Sequence, residues 1–255
     1  MRLIDFSTVL YRATQLAGLD RATINSATFS LLRDFANSRI GWVWEHEPWT
    51  ELIRIEELTP VLNGDNTTTV TLGSGIGSLF QIYNKNPRLG TTARSVQYFI
   101  YDNGTNLYAN LVGPSIPATV WVEYRIAKPN LFGDAYSATQ AYTAGSQIYF
   151  DTSSNSGSFT PGAGKAPAGN IYTCIVTTTA GQSPSTNSAN WSVVEIPASF
   201  SEYLSRAIVS DYWRSEGQFE KAAASEGDAT AAIERLLDIQ ARQQGQISRL
   251  NVLSY

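Results

Sequence analysis

The residues with the clearest chemical potential lie in the run 42–49, which contains the chain's single histidine. His46 stands between Glu45 and Glu47, and an imidazole beside carboxylates can bind a transition metal or move a proton. We interpret the run as extended, so that alternate side chains point to opposite faces and the two glutamates share a side that His46 does not. We therefore predict neither a metal site nor a catalytic site. The alternative is that three tryptophans anchor the run to a helix bundle: Trp42, Trp44 and Trp49.

Residues 73–77, Gly-Ser-Gly-Ile-Gly, have the glycine density of a phosphate-binding loop. Such a loop opens a helix and usually precedes Lys-Ser or Lys-Thr, whereas strand-like residues 79–83 follow here. We therefore predict a β-hairpin turn. The chain has no Gly-x-Ser-x-Gly nucleophile elbow, and any Ser-His-Asp triad would need His46. The sequence predicts no catalytic residue, no cofactor and no metal, and hence no enzyme.

The composition is that of a folded protein without excess positive charge. The chain has 255 residues, of which 43% are hydrophobic and 16% charged, as in ordinary globular proteins. Lys and Arg total 18 against 22 Asp and Glu, so we expect no general nucleic-acid binding. No apolar run is long enough to span a bilayer, and the start lacks the apolar stretch of a signal peptide, so we expect no membrane and no export. Cys174 cannot form an intrachain disulfide and is predicted to be a buried core residue.

Both ends of the chain show the apolar spacing of amphipathic helices. The first helix is predicted to start near Phe6 and to stop at Gly18, and the second to end before Gly41. Near the other end, Pro197 opens a helical run that Gly217 separates from a further helix. Neither pair can bury its apolar stripe alone, so we predict that the four helices pack into one bundle.

The middle of the chain predicts β structure. β-branched and aromatic runs alternate there with turn-forming Asn, Gly and Pro, and Asp102-Asn103-Gly104 is a hairpin signal. Four strands are predicted: 68–72, 78–83, 96–101 and 119–124.

Residues 135–195 differ in composition from the rest. Between Ala135 and Val194 the only charged residues are Asp151 and Lys165, while Ser, Thr, Gly, Asn and Ala dominate. We predict a small, separately folded β module. The predicted fold class is therefore α+β, in four parts: residues 1–50 as the N-terminal helices of the bundle, 51–132 as a β domain, 133–195 as the inserted module, and 196–255 as the C-terminal helices with a partner-binding tail.

The inserted segment contains five landmarks in a fixed order: Ala141-Tyr142-Thr143-Ala144-Gly145, Gln147-Ile148-Tyr149, Asn170-Ile171-Tyr172-Thr173-Cys174, Gly181-Gln182-Ser183-Pro184 and Asn190-Trp191. Their order and spacing resemble the small chitin-binding type of carbohydrate-binding module. Gln182 stands where that family commonly has an exposed, sugar-stacking Trp, and Tyr136 replaces a Trp near the start. Thr152 to Ala168 occupies the place of a short hairpin.

This resemblance implies glycan binding through exposed, coplanar rings, because the CH faces of a sugar stack on aromatic surfaces. The same alternation suits a small aromatic core equally well, so both interpretations stay open. The candidate rings are Tyr136, Tyr142, Tyr172 and Trp191.

The rest of the chain carries a second resemblance. Residues 39–44 (Arg-Ile-Gly-Trp-Val-Trp) follow the first helices, residues 120–125 (Val-Trp-Val-Glu-Tyr-Arg) close the β region, and residues 196–204 precede a long helix rich in Ala, Glu and Gln. Over residues 1–130 and 196–255 these patterns resemble the tail-tube-A-like head-to-tail adaptor (connector) proteins of tailed bacteriophages. In such proteins, inserted carbohydrate-binding-like domains are a familiar addition.

The second resemblance implies a structural virion protein, made in the host cytoplasm and located in the neck between capsid and tail. Its partners would be copies of itself in a homo-oligomeric ring (a dodecamer), the portal protein, tail or nozzle proteins, and DNA that passes through without sequence-specific binding. Two alternatives stay open. One is a carbohydrate-binding protein whose insert recognises a surface glycan, and the other is a neck or tail-completion protein with a different ring size.

The C-terminal tail gives this interpretation independent support. After a polar, glutamine-rich stretch, apolar residues return near the end of the chain, and exposed apolar segments tend to mark partner contacts. The alternative is a tail that folds back on its own bundle. The predicted contact residues are Leu250, Val252, Leu253 and Tyr255.

Overall fold

The structure, a computed structural model, describes residues 2–20, 24–89, 92–102, 107–113, 116–160 and 164–252, with side chains as far as residue 242. Within these residues the chain forms four α-helices and eleven β-strands, which confirms the α+β class. The chain divides into two compact units. One is Glu47–Lys128, and the other combines Met1–His46 with Pro129–Tyr255.

Four helices belong to the second of these units, and they are α1 (Phe6–Leu16), α2 (Ser26–His46), α3 (Ser201–Ser215) and α4 (Phe219–Val252). Gly18 and Gly217 follow α1 and α3 with φ angles of 67° and 72°. A residue with a Cβ rarely adopts this left-handed conformation, which explains why glycine ends both helices. The predicted stops are confirmed.

Helix α2 differs from the prediction, because it continues through Gly41 to His46. A glycine inside a helix costs about 1 kcal/mol relative to alanine. Ile40, Val43 and Trp44 on either side of it are buried, at the three- and four-residue spacing of one helix face. Their burial outweighs the cost of the glycine, so the extended interpretation of residues 42–46 was wrong.

Helix α3 is the central helix of its unit and contacts α1, α2 and α4. Its inner face is formed by Leu204, Ala207 and Ile208, which are fully buried. The segment before α1 also bonds the segment before α3 through the backbone, since Ile4 N–H donates to the carbonyl of Ile196 at 3.0 Å. Packing of α3 on three helices buries the apolar stripes that none of them could bury alone.

The same unit contains a four-stranded sheet made of β8 (Asp134–Ala135), β9 (Gln147–Asp151), β10 (Gly169–Cys174) and β11 (Trp191–Val193), in the order β11-β10-β9-β8. Only the β8–β9 pair is parallel. In β9, residues 148–151 are all buried. Because successive side chains of a strand point to opposite faces, both faces of this sheet must be covered.

Each face of the sheet has a different cover. Ile148 and Phe150 belong to a small core with Tyr142, Cys174 and Trp191, and the predicted burial of Cys174 is confirmed. Tyr149 points the other way and lies among helix residues. Its ring centroid is 4.9 Å from that of Phe29 in α2 and 6.4 Å from that of Phe6 in α1.

Hydrogen bonds join the sheet to the helices along the same face. Gly169 N–H donates to Ser7 Oγ at 2.9 Å, and Phe6 N–H donates to Asn170 Oδ1 at 2.9 Å. The Arg33 guanidinium of α2 donates to the carbonyl of Gly133 at 3.2 Å and to Asp134 at 2.6 Å. The sheet therefore shares its packing and its polar contacts with α1 and α2.

This packing differs from the separately folded module expected from the sequence. A module of that kind would need only its own core, but one face of β9 is covered by α1 and α2. Removing residues 133–195 would leave Phe6 and Phe29, now 1% and 6% exposed, in water. Each large apolar side chain that loses its burial costs roughly 1.5–3 kcal/mol.

The unit Glu47–Lys128 is built from two antiparallel sheets with a common apolar core. One sheet has the order β1-β7-β4 and the other β2-β3-β6-β5. The strands are β1 (Ile53–Leu58), β2 (Val61–Leu62), β3 (Thr68–Leu72), β4 (Ile76–Tyr83), β5 (Gln97–Asp102), β6 (Leu107–Val112) and β7 (Val120–Ile126). The four predicted strands are confirmed to within two residues. Pairing of β5 with β6 confirms the predicted hairpin, although residues 103–106 lie outside the described part.

The glycine-rich run 73–77 forms a turn between the two sheets rather than a hairpin turn. β3 pairs with β2 and β6, whereas β4 pairs with β7. A Cβ at Gly77 would lie 2.9 Å from Ala127 Cα, so glycine is needed for close backbone approach. The hairpin prediction was wrong because the turn leads into a strand that pairs elsewhere.

We expect Gly169→Ala to destabilise the helix-containing unit. A Cβ at this position would lie 2.0 Å from the Tyr149 hydroxyl oxygen, and overpacking of this kind costs about 1–3 kcal/mol. Gly227→Ala in α4 is the matched control, because a Cβ there meets nothing within 4 Å and alanine favours a helix by ~1 kcal/mol. Urea unfolding followed by circular dichroism should give shifts of opposite sign. Equal stability of Gly169→Ala and wild type would contradict the fixed position of Tyr149.

Candidate functional site

Helix α4 is the element on which a functional site is best argued, and its first half is held by a partly buried arginine of α2. The Arg39 side chain, 15% exposed, donates to both oxygens of Asp211 in α3 at 2.6 Å. It also donates to both oxygens of Glu226 in α4, at 2.7 and 2.8 Å. One planar guanidinium thus joins three helices through paired hydrogen bonds, a geometry that lysine cannot provide.

The hydrogen-bond partners of Arg39 and Glu226 shift the pKa values of both groups. Hydrogen bonding to Asp211 raises the pKa of Arg39 above its usual value and outweighs the opposing effect of burial. Burial alone would raise the pKa of Glu226, but hydrogen bonds from Arg39 and Ser210 and the nearby positive charges lower it below its ordinary value. Arg39 and Glu226 are therefore both charged at neutral pH. Sequence reasoning missed this network, because Arg39 is separated from its partners by 172 and 187 residues.

Contact between α3 and α4 can be followed turn by turn. Ser210 Oγ donates to the carbonyl of Ala222 at 2.9 Å, and Arg206 pairs with Asp228. Arg235 then pairs with Glu202 at 3.4 Å. Because α3 begins at Ser201, residues 236–252 of α4 extend beyond the end of α3. At ~1.5 Å per residue this part of the helix is about 25 Å long.

Helix α4 changes in character along its length. Ala222, Ala229, Ala232 and Ile233, in the first half, are buried. Ile239, farther along, is 53% exposed. Of the predicted contact residues, Leu250 and Val252 lie in the last turns of α4, where the side chains are not described, and Leu253 and Tyr255 lie outside the described residues.

The four aromatic residues proposed for glycan binding are placed together, in the small core of the sheet. Tyr142 and Trp191 are 7% and 6% exposed, and Tyr136 and Tyr172 pack against them partly buried. Tyr136 stacks on Tyr142 with ring centroids 5.8 Å apart, and Trp191 meets Tyr142 nearly edge-on at 5.6 Å. These contacts are those of a packed core, and the rings do not present a common exposed face to a sugar.

Gln182 has a local structural role at the position where a stacking ring would be expected. Its side-chain oxygen accepts a hydrogen bond from Thr179 N–H at 3.0 Å, and Gly181 beside it has a φ of 85°. The Gln182 side chain thus stabilises the turn in which it lies. A planar ring could not accept this hydrogen bond, so the local geometry suits glutamine rather than a sugar-stacking tryptophan.

The side chains around His46 pack through contacts between aromatic rings. Trp42, 51% exposed, stacks on His46 with centroids 4.5 Å apart and on Tyr203 of α3 at 5.6 Å. Trp44 is buried and meets Phe200 at 6.1 Å, and Trp49 is buried. The described residues contain no group of three or more His, Cys, Asp or Glu side chains arranged to hold a metal ion.

A cleft of about 380 Å³ beside the start of α2 is lined by Asn25, Ser26, Phe29, Asp134 and Phe159, with five further residues. Asp134 is its one ionisable lining group, and that carboxylate accepts a hydrogen bond from Arg33.

Comparisons with known proteins add no assignment to this geometry. No protein-family model matches the chain, and no match is found among curated proteins. In the part of the chain that the structure describes, none of the helices is long and apolar enough to cross a membrane. A function must therefore be argued from the arrangement of α4 and its neighbours.

We expect Arg39→Met to destabilise the helix-containing unit by about 2 kcal/mol, because it removes four charge-assisted hydrogen bonds to Asp211 and Glu226 and leaves these partly buried carboxylates with Arg214 alone. Arg214→Met is the matched control. Arg214 also bonds Asp211, at 2.9 Å, but its side chain is 50% exposed, and such pairs contribute at most about 1 kcal/mol. Urea unfolding of the two variants and wild type at neutral pH measures both effects.

The pH dependence provides a second test of the network. Because the pKa of Glu226 is lower in the folded protein than its ordinary value of 4.5, its contribution to stability is present above that pH and is lost as the pH falls through the folded value. The stability difference between wild type and Arg39→Met should therefore shrink below about pH 4.5. A difference that stays constant or grows in acid would contradict the ion-pair account.

Proposed function

We propose that this chain is a structural protein of a tailed-phage particle, a head-to-tail adaptor whose ring joins the portal to the tail. The observation that carries the proposal is the projecting half of α4. A helix that is fixed at one end by Arg39 and extends beyond its own unit's α3 is suited to contact another molecule.

The arrangement that we propose for this role is a bundle of α1 to α4 with residues 133–195 inserted as a decorating β module. Packing of α3 on the other helices supports the bundle, and the sheet order β11-β10-β9-β8 supports a continuous inserted unit. The resemblance of residues 39–44, 120–125 and 196–204 to adaptor proteins supports a dodecameric ring in the virion neck. Portal and tail or nozzle proteins would then be its partners.

We further propose that DNA passes through the ring without being bound. Residues 1–58 contain 6 Lys and Arg against 8 Asp and Glu, and residues 196–255 contain the same numbers. A lumen lined by either segment would be neutral or repulsive toward phosphates, and this allows DNA to move through it.

Ring formation is the direct test of the proposal. Native mass spectrometry of the purified full-length chain should give a closed oligomer of one size, and negative-stain images should show rings that dock end-on to a purified portal protein. A chain that stays monomeric in both experiments would rule out the adaptor role, whereas a ring of another size would favour a neck or tail-completion protein.

Truncation after Gln244 should weaken docking strongly and leave the protomer stable. It removes the apolar residues Leu250, Val252, Leu253 and Tyr255, each worth up to ~1.5–3 kcal/mol when buried in a partner. The buried α4 residues from Ala222 to Ile233 remain, so the melting temperature measured by circular dichroism should be unchanged. Full-length Ser248→Ala/Asn251→Ala, which alters only polar positions in the same turns, is the control. A truncation that lowers the melting temperature but docks normally would indicate a tail folded on its own bundle.

Duplex DNA should bind the purified protein weakly, because there is no excess of positive charge to release counterions. Fluorescence anisotropy with a labelled duplex at physiological salt should give no saturable sub-micromolar binding. Sub-micromolar affinity with a steep salt dependence would contradict the proposed neutral passage.

A further inference from the structure

Strand β9 contains two polar atoms that are fully buried and have no hydrogen-bond partner among the residues that the structure describes. They are the hydroxyl oxygen of Tyr149 and Oδ2 of Asp151, and both side chains are 0% exposed. Buried polar atoms in folded proteins are nearly always paired with protein groups, with water or with a bound ion. Two such atoms in one strand therefore indicate a binding site for a further species.

The two atoms lie on the same side of the sheet, beside Gly169. Residues two apart in a strand share a face, so Asp151 points to the helix-covered side, as Tyr149 does. Gly169 pairs directly with Asp151, and a Cβ at Gly169 would lie 2.0 Å from the Tyr149 hydroxyl oxygen. Directly opposed Cβ positions are about 4.5–5.5 Å apart. The hydroxyl oxygen is therefore next to the Asp151 side chain without bonding it, close enough for one ion to contact both.

The Asp151 carboxylate is hydrogen-bonded at one oxygen only. Its Oδ1 accepts hydrogen bonds from Ser153 N–H at 2.6 Å, from the Ser153 hydroxyl and from Ser154 N–H at 3.2 Å. Among the described side chains, no Lys, Arg or His forms an ion pair with it. Lys165, the only other charged residue in 135–194, donates to the Ser153 carbonyl at 3.2 Å instead. A buried negative charge without a positive partner is strongly unfavourable, so a positive group from outside the chain would stabilise this carboxylate.

The surroundings of the Tyr149 hydroxyl also favour a cation. Burial raises the pKa of this hydroxyl far above its ordinary value, and the nearby charges of Asp151 and Asp5 raise it further. The hydroxyl therefore keeps its proton and offers the lone pairs of its oxygen as a neutral ligand. Asp5 lies just before α1, where its Oδ1 accepts a hydrogen bond from Asn170 Nδ2 at 2.6 Å. Two carboxylates and no positive side chain thus act on this hydroxyl, and such an environment attracts positive charge.

We propose that Asp151 Oδ2 and the Tyr149 hydroxyl oxygen bind one monovalent metal cation, sodium or potassium, on the helix-facing side of the sheet. Oxygen atoms are the ligands that such hard cations prefer. The one fully buried carboxylate balances a single positive charge, whereas a calcium ion takes about six to eight oxygen ligands, usually from several carboxylates. The site lies within one protomer, so this inference is independent of the adaptor proposal and of ring formation.

The experiment is thermal unfolding of the full-length protein, followed by helical circular dichroism, in sodium, potassium or tetramethylammonium chloride at equal ionic strength. Tetramethylammonium screens surface charges equally but is too large for a buried site. A cation that binds only the folded state adds stability that rises with its concentration. With the metal ion at ~100 times its Kd, the melting temperature should exceed that in tetramethylammonium chloride by at least about 5 °C. Equal melting temperatures in all three salts would overturn the proposal in favour of a buried water.

Two variants connect the effect to the site. Asp151→Asn keeps the shape of the side chain but removes its charge, so it should abolish the difference between the salts. Asp134→Asn is the matched control, because it removes a carboxylate of the same sheet that is 83% exposed and already paired with Arg33. This control should retain the wild-type difference.

Tyr149→Phe removes one ligand oxygen and keeps the ring, so it should raise the metal concentration for half of the stabilisation by at least about tenfold. It provides the same test if Asp151→Asn does not fold. A salt difference that persists unchanged in the variants would show that the cations act elsewhere, and the proposal would fail. Stabilisation by calcium chloride alone, in a parallel series, would overturn the monovalent assignment.

Discussion

The aromatic contact of Tyr149 with Phe6 and Phe29 is the constraint on which the helix-containing unit depends. Strand β9 buries successive side chains on opposite faces, and only one of those faces has a core within the sheet. The other must be covered by α1 and α2, which bring Phe6 and Phe29 to the ring of Tyr149. Gly169 then leaves room for the tyrosine hydroxyl. Residues 133–195 have the sequence pattern of a detachable module, but strand β9 packs them against α1 and α2.

This constraint also explains why the aromatic residues of the sheet are poor candidates for glycan binding. A small sheet with few large aliphatic residues fills its core with rings, and Tyr142 and Trp191 are buried for that purpose. A ring cannot be packed in a core and also present its face to a sugar. At the position where an exposed stacking ring was expected, the Gln182 side chain accepts a hydrogen bond within its own turn. The chemistry of the sheet is thus consistent with a structural role beside the helices.

In our proposal the first half of α4 stabilises the protomer and the second half contacts other molecules. The first half is fixed by alanine packing against α3 and by the Arg39 pairs with Asp211 and Glu226, which require precise geometry and strong charge pairing. Beyond Arg235 the helix extends past the start of α3, and Ile239 there is 53% exposed. In our proposal the rigid half orients the projecting half, because a helix transmits direction along its axis. A ring subunit needs this combination of a fixed base and an open contact surface.

Local sequence patterns predicted the helices and four of the eleven described strands, but not where α2 ends. Apolar spacing and the glycines at 18 and 217 predicted where α1 and α3 end, and β-branched runs predicted β3 and β7 closely. Tertiary contacts determine which surface each face packs against. Helix α2 continues through Gly41 because Ile40, Val43 and Trp44 are buried. Arg39 pairs with residues that are more than a hundred positions away in the sequence. Periodicity records that a face is apolar but not which surface covers it, because burial depends on contacts between segments that are distant in sequence.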